Sequence, residues 1–375
     1  MSEHVQVAVI GGGLAGLCVV RALRTAGIDA LLLEARDRLG GRIRTVDHAG
    51  RPSDDGFDLG ASWVWPQAQP AVAALVEELG LALVPQHGEG DVVFHRMSRE
   101  APQRFRRAGD APADPSMRIV GGTGALVRAL ARDLPPDCIR LNVRVTGLAL
   151  AEDGVTLSVE QADGSATSMT ADQVVAALPP RLLEATVSFS PELDGATKQR
   201  WRGTPTWMAP HAKVFAFYDR PFWREAGLSG TAQSLMGPIM EVHDATSSSG
   251  SAALLGFLGV GAGQRVAMGE AVLTTACLDQ LALLFGEEAR HPRATLIADW
   301  AADPLTTTAH DLGAGGHPAA MQEGWVAGPW QERLLLAGSE TSPTDPGYVA
   351  GAIEAARRAV ADTLSRLEEA LTLKA

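Results

Sequence analysis

The stretch Val5-Gln6-Val7-Ala8-Val9-Ile10-Gly11-Gly12-Gly13-Leu14-Ala15-Gly16, residues 5–16, decides the fold of this chain. Its first half is apolar and predicts a β-strand, and its second half has the spacing Gly-x-Gly-x-x-Gly. A helical pattern over residues 17–26 follows, and then a second apolar strand over residues 30–33 that runs into Glu34. A strand, a glycine turn, a helix and a second strand ending in an acid are typical of a dinucleotide-binding unit.

Each glycine of the turn has a separate physical role. Gly11 permits the sharp turn, Gly13 lets a pyrophosphate approach the backbone, and Gly16 lets the helix pack closely on the strand. The phosphates would lie against the first amide groups of the helix, where the helix dipole favours negative charge. Glu34 is placed to accept hydrogen bonds from a ribose diol. The alternative is a glycine turn without a ligand, and the agreement of all these features favours the dinucleotide.

The composition is typical of a globular protein with two domains. The chain has 375 residues, of which 46% are hydrophobic and 20% charged, and this length exceeds that of a typical single core. The formal net charge of −12 argues against nucleic acid and anionic membranes as partners. Cys18, Cys138 and Cys277 have neither disulfide nor metal-ligand spacing, and no apolar run reaches the length of a membrane span. We therefore expect a cytoplasmic protein without a metal site.

The rest of the chain alternates between helical and strand patterns. Residues 139–175 are typical of strands, with a hairpin turn at Asp163-Gly164. Thr123 is expected to cap a helix over residues 125–134. Further strands are expected over 212–218 and 254–260, and further helices over 69–80, 191–203 and 269–285. A buried strand over 334–338 and a long helix over 351–373 complete a doubly wound sheet.

Several separated blocks of the chain, taken in order, carry a resemblance to a known family. They are Glu34-Ala35-Arg36-Asp37-Arg38-Leu39-Gly40-Gly41-Arg42, Asp58-Leu59-Gly60-Ala61-Ser62-Trp63, Gly121-Gly122, Ala212-Lys213-Val214, Asp299-Trp300 through Asp303-Pro304, Ala337-Gly338-Ser339-Glu340-Thr341 and Gly347-Tyr348-Val349-Ala350-Gly351-Ala352. With the opening fingerprint, they resemble the flavin-containing amine oxidases, which include monoamine oxidases, polyamine oxidases and L-amino-acid oxidases. The blocks reach from the first strand to the last helix, so the resemblance covers the whole chain.

The resemblance implies an α/β plus α+β fold with two domains. A discontinuous, Rossmann-like FAD-binding domain would comprise residues 1–78, 117–189 and 292–375. A discontinuous, mixed-sheet substrate-binding domain would comprise residues 79–116 and 190–291. Ala309 stands where some family members have the cysteine that bonds the flavin, so FAD is expected to be bound non-covalently.

The resemblance also implies cofactor contacts, residue by residue. Gly11, Gly13 and Gly16 would hold the pyrophosphate, Glu34 the adenosine ribose, and Arg36 and Arg42 would flank the adenosine and the isoalloxazine edge. Gly60, Ala61 and Ser62 would line the flavin, Val145 would meet the adenine, and Gly338, Ser339 and Val349 would contact the ribitol and pyrimidine end. The remaining residues in the implied cofactor site are Leu14, Ala15, Ala35, Gly41, Trp63 and Trp300.

Three residues are implied to carry the chemistry. Lys213 matches the family lysine that reaches flavin N5 through a water, and Tyr348 matches the aromatic residue that stands against the flavin face. Many family members have a second aromatic residue at the position of His310. Together with the residue at Tyr348, it forms an aromatic cage against the flavin face. Only about forty residues separate Gly80 from Gly121, where the family usually carries a longer helical insertion. The active site is therefore expected to be shallower, completed by a partner subunit, or suited to a bulkier substrate.

The implied function is that of an FAD-dependent amine oxidase. A neutral amine would pass a hydride from its α-carbon to flavin N5 and become an imine, which hydrolyses to an aldehyde or a ketone. O2 would then reoxidise the flavin and yield H2O2. The expected partners are a small-molecule amine and O2, without nucleic acid or membrane, and a homodimer is left open.

Three other functions stay open at this point. An L-amino-acid oxidase would need a cation for the substrate carboxylate, and five arginines lie in the short region that replaces the insertion, namely Arg96, Arg99, Arg104, Arg106 and Arg107. A flavoprotein desaturase shares the opening blocks, but Lys213 and the Gly347-Tyr348 block argue against it. A non-catalytic flavin-binding scaffold is compatible with the short insertion and the missing second aromatic residue.

Overall fold

The structure is a computed structural model that describes residues 3–106, 115–313, 316–322 and 324–374. Its α-helices are α1 (Leu14–Thr25), α2 (Pro70–Glu78), α3 (Gly124–Arg132), α4 (Pro180–Thr186), α5 (Gly195–Gly203), α6 (Phe222–Glu225), α7 (Ala262–Met268), α8 (Glu270–Phe285) and α9 (Val349–Lys374). Short 3-10 helices are Pro136–Cys138, Glu287–Arg290, Trp300–Ala302, Ala309–Asp311, Gly328–Trp330 and Ser339–Thr341.

The strands alternate with these helices along the chain. They are β1 (Glu3–Ile10), β2 (Ala30–Leu33), β3 (Thr45–Val46), β4 (Phe57–Asp58), β5 (Leu83–Pro85), β6 (Asp91–His95), β7 (Gln103–Phe105), β8 (Met117–Ile119), β9 (Ile139–Arg140), β10 (Val143–Ala151), β11 (Gly154–Gln161), β12 (Ala166–Ala176), β13 (Ser188–Ser190), β14 (Ala212–Tyr218), β15 (Leu228–Ser234), β16 (Ile239–Asp244), β17 (Ala252–Leu258), β18 (Ala294–Asp299) and β19 (Leu334–Leu336).

Eight strands form the first sheet, and five of them run parallel in the order β19, β12, β1, β2, β9. β12 also pairs antiparallel with β11, which leads through β10 to β13 at the other edge. The carboxyl ends of parallel strands meet at one edge of a sheet, which is where ligands bind in folds of this kind. The turns after β1, β2 and β19 therefore lie together at that edge.

The side chains of β1 alternate between the two faces of the first sheet. Val7 and Val9 belong to a core that includes residues of α1, α3 and α9. Ala8 and Ile10 belong to a second core, which includes residues of β10 and β11. Both faces are covered, which explains why residues 7–10, directly before the glycines, are all apolar.

Seven strands form the second sheet, in the order β18, β14, β17, β16, β15, β6, β7. In β14, Val214 and Ala216 pack in the core that contains residues of α8, whereas Phe215 and Phe217 pack on Phe57 from the opposite face. Lys213 is in phase with Phe215 and Phe217, so it points to that second face. β6 and β7 lie in a polar region in which the sequence shows no periodicity, and they form the edge of this sheet.

Two domain boundaries expected from the sequence differ from the membership of the sheets. β18 lies within residues 292–375, the expected FAD-binding segment, but it pairs with β14 in the second sheet. α5 lies within residues 190–291, the expected substrate-binding segment, but its Trp201 is buried in a core of the first sheet. By sheet membership, these boundaries move to the end of α5 and the end of β18.

No single helix in the described ranges is long and apolar enough to cross a membrane. α7 and α8 have the length and composition of a membrane span only when they are taken together, and their axes are bent by 103° relative to each other.

Candidate active site

A cavity of about 1080 Å³ is lined by turns of the first sheet and by strands of the second. The predicted site residues that line it are Gly11, Gly13, Leu14, Ala15, Glu34, Arg36, Gly41, Arg42, Gly60, Ala61, Ser62, Trp63, Lys213, Trp300, Gly338, Ser339, Tyr348 and Val349. A smaller cavity of about 50 Å³ shares Gly11, Glu34 and Arg36 with it and is lined by Ala35 and Val145. The structure thus brings residues from both ends of the chain to one place.

The glycine turn after β1 is closed on one side and open on the other. Gly11 has a φ of +102°, in the left-handed region that favours glycine. A Cβ on Gly16 would lie 1.9 Å from the carbonyl oxygen of Gly11, so α1 packs directly on the turn. A Cβ on Gly13 would meet no atom within 4 Å. Because Gly13 lines the large cavity, this open side is a cradle for a ligand.

The N-terminus of α1 faces the same cavity through Leu14 and Ala15. Within the described ranges, no side chain caps this helix, and its first turn contains no acidic residue. The first amide groups of the helix are therefore available, and the helix dipole favours an anion there. Together with the cradle at Gly13, this arrangement fits the pyrophosphate of a dinucleotide.

Glu34 is held rigidly at the end of β2. Its Oε2 accepts a hydrogen bond of 2.6 Å from the amide of Gly12, and its Oε1 accepts one of 2.8 Å from the amide of Arg36. The Arg36 guanidinium donates in turn to Asp303 at 2.6 Å and to Thr306 at 3.0 Å. The first βα unit is thus joined to a segment almost three hundred residues away, and the Glu34 carboxylate faces the cavity in a fixed orientation.

Arg42 joins the first glycine-rich region to the turn after β19. Its guanidinium donates to both carboxylate oxygens of Glu340, at 2.6 and 3.1 Å, and to Ser339 Oγ at 3.1 Å. Glu340 is fully buried, and a bidentate pair of this kind fixes geometry as well as charge. Arg42 also donates to the carbonyl oxygen of Trp207 at 3.3 Å, which holds the loop before β14 against the cavity.

Lys213 is buried with its amino group against the Gly60–Ser62 segment. Its Nζ donates to Ser62 Oγ at 2.9 Å, to the carbonyl oxygen of Asp58 at 3.3 Å and to the carbonyl oxygen of Gly60. Burial lowers the pKa of Lys213 to about 8, and the nearby Asp58 carboxylate partly opposes this change. A lysine with this pKa exchanges its proton near neutral pH.

Asp58 is a site residue to which the sequence analysis gave no role. Its Oδ1 accepts hydrogen bonds from Thr45 Oγ1 at 2.5 Å and from the amide and hydroxyl of Thr123, both at 2.9 Å. Thr123 also donates to the carbonyl oxygen of Ala61 at 2.9 Å. The prediction that the Thr123 side chain caps α3 is therefore wrong, because its hydroxyl is bonded to Asp58 and Ala61 and ties that segment to this helix. Burial raises the pKa of Asp58.

Tyr348 stands in a cluster of rings at one end of the cavity. Its ring centroid lies 6.2 Å from that of Trp65, 6.3 Å from that of Trp207 and 5.1 Å from that of His317. Tyr348, Trp65 and Trp207 line the cavity. The predicted second cage residue, His310, is exposed and does not line it, so that prediction is wrong. Trp207 occupies the place beside Tyr348 that His310 was expected to take.

A carboxylate stands on the wall that the second sheet provides. Lys213 on β14 and Glu241 on β16 are both paired with Phe257 on β17, so the three side chains share one face, and all line the cavity. Glu241 accepts a hydrogen bond of 2.7 Å from His243, which is the main reason that its pKa is lowered. Neighbouring strands are ~4.8 Å apart, which places Glu241 ~10 Å across the sheet from Lys213.

The arginines that line the cavity are all paired with carboxylates. Arg36 is paired with Asp303, Arg42 with Glu340, and Arg265 with Asp299. The arginines Arg96, Arg99, Arg104 and Arg106, which the sequence made candidates for binding a substrate carboxylate, do not line the cavity. The fifth candidate, Arg107, lies outside the described residues.

The residues that sequence reasoning missed differ in whether any signal marked them. Trp65 follows Trp63 by two residues in an extended segment, so the alternation of side chains indicates that both face one side. Asp58 opens a block that was used for the resemblance. Trp207 and Glu241 carry no local signal, because only the packing of a loop and the register of a sheet bring them to the cavity.

Comparisons with known proteins agree with this geometry. The family model described as "Flavin containing amine oxidoreductase" matches residues 14–118 and 110–364. The protein AofH of Mycobacterium tuberculosis, which carries the name of a flavin-containing monoamine oxidase, is 27% identical over 464 aligned positions that cover 97% of each chain. The alignment is longer than the 375 residues of this chain, so the chain spans the same architecture with fewer residues.

Further similarities point the same way. The chain is 25% identical to a putrescine oxidase of Kocuria rosea, over 96% of this chain and 95% of that protein. A solved structure of a putrescine oxidase bound to putrescine superposes with a TM-score of 0.80 at 22% identity, covering 97% of this chain and 100% of that one. Because the family model spans most of the chain, this protein belongs to the flavin-containing amine oxidoreductases, and it is an FAD-dependent enzyme that acts on amines.

Proposed function

We propose that this enzyme oxidises a carboxylate-free amine that carries a second positively charged group, with FAD bound non-covalently. One observation carries the proposal: the cavity that contains the dinucleotide cradle also contains Lys213, the Tyr348 ring cluster and the carboxylate of Glu241. The coarser statement, that the enzyme acts on amines, follows from its family. The proposal concerns which amine is chosen and how the residues of this chain treat it.

The residues of the first sheet and its turns would hold the cofactor along the cavity. The parallel order of β19, β12, β1, β2 and β9 supports a Rossmann-like cofactor domain, with the pyrophosphate at Gly13 and the ribose at Glu34. FAD, when bound, supplies the two-electron acceptor for the amine and passes the electrons to O2. Ala309 stands where some family members have the cysteine that bonds the flavin. Its side chain has no nucleophile, and the residue is exposed at the start of a short 3-10 helix.

The reacting end of the amine is assigned to the ring cluster. Tyr348, Trp65 and Trp207 present apolar surface to the cavity. Apolar walls disfavour the charged form of an amine by desolvation, so the substrate amine gives up its proton more readily there. A neutral amine can lose a hydride from its α-carbon, whereas an ammonium group cannot do so without first losing a proton.

Lys213 is assigned the role of a positioning group with a titratable amine. Its three hydrogen bonds fix the Gly60–Ser62 segment, along which the flavin would lie. Its lowered pKa of about 8 lets it hold or release a proton at Nζ without a large cost near neutral pH. The water-mediated contact with the flavin, which the family resemblance implies, stays a prediction.

Glu241 supports the second positive group on the substrate. Its side chain keeps 45% of its surface exposed, so an ammonium group entering the cavity can reach it. The spacing of ~10 Å from Lys213 suits a substrate in which several bonds separate the two nitrogen atoms. Relatives named putrescine oxidase and polyamine oxidase 4 are similar over most of their length, which supports the same substrate class.

An amino acid is the second candidate substrate, because an L-amino acid dehydrogenase of Synechocystis sp. is 25% identical over 94% of this chain. The carboxylate of an amino-acid substrate would need an unpaired cation in the cavity to bind it. Every arginine lining the described cavity is already paired with an acidic residue. The charges therefore favour the carboxylate-free amine.

Three compounds of matched shape test the proposal. 1,4-Diaminobutane has both amino groups, butylamine lacks the second one, and L-ornithine adds a carboxylate at the reacting carbon. We expect 1,4-diaminobutane to reduce the bound flavin at least tenfold more efficiently than butylamine, and L-ornithine to be the poorest of the three. Anaerobic stopped-flow absorbance of the flavin measures each rate directly.

Glu241→Gln serves as the companion variant. It should bring the ratio of the flavin-reduction efficiencies of 1,4-diaminobutane and butylamine toward one, because a hydrogen bond to a charged group contributes about 1.5 to 3 kcal/mol, or more than tenfold. Efficient reduction by L-ornithine would show that the enzyme is an amino-acid oxidase. If the ratio of the two flavin-reduction efficiencies is unchanged in Glu241→Gln, this carboxylate does not bind the second positive group of the substrate. The expected homodimer and cytoplasmic location stay predictions.

A further inference from the structure

A second cavity, of about 300 Å³, lies between α9, β19 and the segment before β19. It shares no lining residue with the candidate active site. Its volume is at the lower end of the range in which proteins bind small molecules. Nothing in the proposed reaction uses this cavity.

Two arginines and one carboxylate of α9 line the cavity. Arg358, Asp362 and Arg366 stand at successive i+4 positions, so they follow one stripe of the helix. Arg366 Nη1 is buried and has no hydrogen-bond partner among the described residues. Buried polar groups without a partner are rare, and a cationic donor of this kind is costly to leave unsatisfied. The stripe as a whole carries one net positive charge.

Arg358 is satisfied only by neutral acceptors. It donates to the carbonyl oxygen of Leu336 at 2.8 Å, to Thr341 Oγ1 at 2.9 Å and to the carbonyl oxygen of Thr341. Burial lowers the pKa of Arg358, and the charge of the nearby Asp362 carboxylate partly opposes this change. Because the hydrogen bonds of Arg358 go to neutral acceptors, its guanidinium contributes positive charge to the cavity.

The wall outside α9 is mostly apolar, with Gln322 and Gln331 as its uncharged polar side chains. Trp325, Leu334 and Leu336 are buried residues that line the cavity, and Met321 and Val326 line it as well. A ligand that fits must combine an apolar body for this wall with one negative charge for the arginines. A free inorganic anion would leave the apolar wall without a contact.

We propose that this cavity is a binding site for a small organic carboxylate, with its carboxylate on Arg366 and its apolar body against Trp325 and Leu336. A carboxylate accepts two parallel hydrogen bonds from a guanidinium, which matches the unpartnered Nη1 of Arg366. The cavity lies next to the turn that follows β19. Arg358 connects the cavity with this turn, because it donates hydrogen bonds to Leu336 and Thr341, which flank Gly338 and Ser339 of the main cavity.

Calorimetric titration of the FAD-loaded enzyme with 3-phenylpropionate tests the proposal. This acid has an apolar ring and one carboxylate, and 3-phenylpropanamide is its neutral counterpart. We expect saturable binding of the acid with a dissociation constant below ~1 mM, and binding of the amide that is at least tenfold weaker. Binding is measured without turnover, so the result does not depend on the proposed function.

Variants locate the bound acid. Arg366→Gln should weaken binding at least tenfold, whereas Arg357→Gln, at the exposed neighbour of Arg358 on the same helix, should change it less than twofold. Gly324→Phe is the second test, because a Cβ on Gly324 has no atom closer than 4.0 Å and the ring would fill part of the cavity. It should abolish binding while both arginines remain.

Three results would overturn the proposal. The first is the absence of saturable binding at ~10 mM acid, and the second is equal binding of the acid and the amide. The third is binding to Arg366→Gln and to Gly324→Phe with wild-type affinity, which would place the acid elsewhere, for example in the main cavity. Thermal unfolding of each variant shows whether it is folded. If Arg366→Gln does not fold, the affinity of Gly324→Phe for the acid tests the proposal in its place.

Discussion

The lowered pKa of Lys213 follows from its buried position on β14. The strand buries every one of its residues, and the phase of the strand turns Lys213 toward the Gly60–Ser62 segment instead of the α8 side. Three oxygen atoms then surround Nζ, which compensates for the loss of water only in part. The pKa of about 8 is the measurable result of this incomplete compensation.

Lys213→Met should remove a pH dependence of stability that the wild-type enzyme shows. The folded pKa of about 8 lies below the usual value of 10.5, so between these two pH values the unfolded chain binds a proton that the folded chain does not. Stability of the wild type should therefore rise with pH relative to the variant, by ~3 kcal/mol over the window. Urea unfolding with saturating FAD at several pH values measures this difference.

Below about pH 8 both states of the wild type carry the proton, so the difference between the two proteins should be constant there. This lower range is the internal control for effects of the lost hydrogen bonds, which do not depend on pH. Parallel stability curves for the wild type and Lys213→Met above pH 8 would contradict the assigned pKa.

Trp207 and His310 allow a direct comparison between the observed and the expected cage. Trp207→Ala should lower kcat/KM for the amine by ~10-fold, because an aromatic contact contributes roughly 0.5 to 1.5 kcal/mol beyond the area it buries. His310→Ala should stay within twofold of the wild type, since its side chain is exposed and away from the cavity. Steady-state assays of peroxide release measure both. A larger loss in His310→Ala than in Trp207→Ala would restore the expected cage.

The sequence could identify Tyr348 but not its neighbour, for a physical reason. Tyr348 lies inside a contiguous block that runs directly into α9, so its position relative to the helix is fixed locally. The match of His310 to the cage position rests only on its distance along the chain from Trp300. The chain between them turns through two short 3-10 helices, and the path of such turns depends on contacts with distant segments that a count cannot include.

At the scale of the element, the glycine turn after β1 shows how one motif meets two separate demands. Gly16 is required by the packing of α1 on the turn, and Gly13 is required only by the space that a ligand needs. The spacing of the glycines alone does not distinguish these two demands. The surroundings of the two residues distinguish them, because a Cβ would clash at Gly16 and would be free at Gly13. Two similar substitutions are therefore expected to have opposite effects.

Gly13→Ala should fold normally and lose FAD, whereas Gly16→Ala should lose stability. In Gly13→Ala, the new methyl group meets no protein atom within 4 Å and projects into the space for the pyrophosphate. In Gly16→Ala, the methyl group would lie 1.9 Å from the Gly11 carbonyl oxygen, so the turn must open, at a cost of about 2 kcal/mol or more. FAD titration and urea unfolding separate the two effects.

Gly195→Ala is the matched control, because Gly195 opens α5 and a Cβ there has no neighbour within 4 Å. It should retain both FAD affinity and stability. A Gly13→Ala protein that binds FAD as tightly as the wild type would contradict the assignment of the phosphate cradle.

Elements with a strong local pattern were predicted well. The bounds of β2 and β14 are confirmed, and α1 and α9 begin within three residues of the expected positions. The start of α3 was found, but the role of Thr123 was not, because Asp58 competes for its hydroxyl from a segment 65 residues away. Local propensity cannot anticipate a partner that only the tertiary fold supplies.

At the scale of the whole molecule, the cavity joins the two sheets and both ends of the chain. Arg36 and Arg42 pair with Asp303 and Glu340 across the molecule, and the cofactor would lie between the partners' segments. The sequence predicts two domains from its length and from the family resemblance. It could not predict that β18 crosses to the second sheet, since that strand resembles the others in composition and only its pairing with β14 assigns it.

FAD should stabilise the whole molecule by mass action. A ligand that binds only the folded state adds ~2.7 kcal/mol to the free energy of unfolding when its concentration is a hundred times its dissociation constant. The melting temperature should therefore rise with FAD concentration, and Gly13→Ala should show no such rise. Thermal unfolding at several FAD concentrations checks this, and a melting temperature independent of FAD in the wild type would contradict binding between the two ends of the chain.

The place of β19 in the first sheet has a consequence for how the enzyme is made. β19 joins β12, and residues 338–349 complete a cavity that residues 11–16 begin. A ribosome synthesises residues 11–16 more than three hundred residues before residues 338–349. The cofactor cavity is therefore complete only after Val349 has been synthesised, so we expect FAD to bind after this segment has left the ribosome and not to the early strands alone.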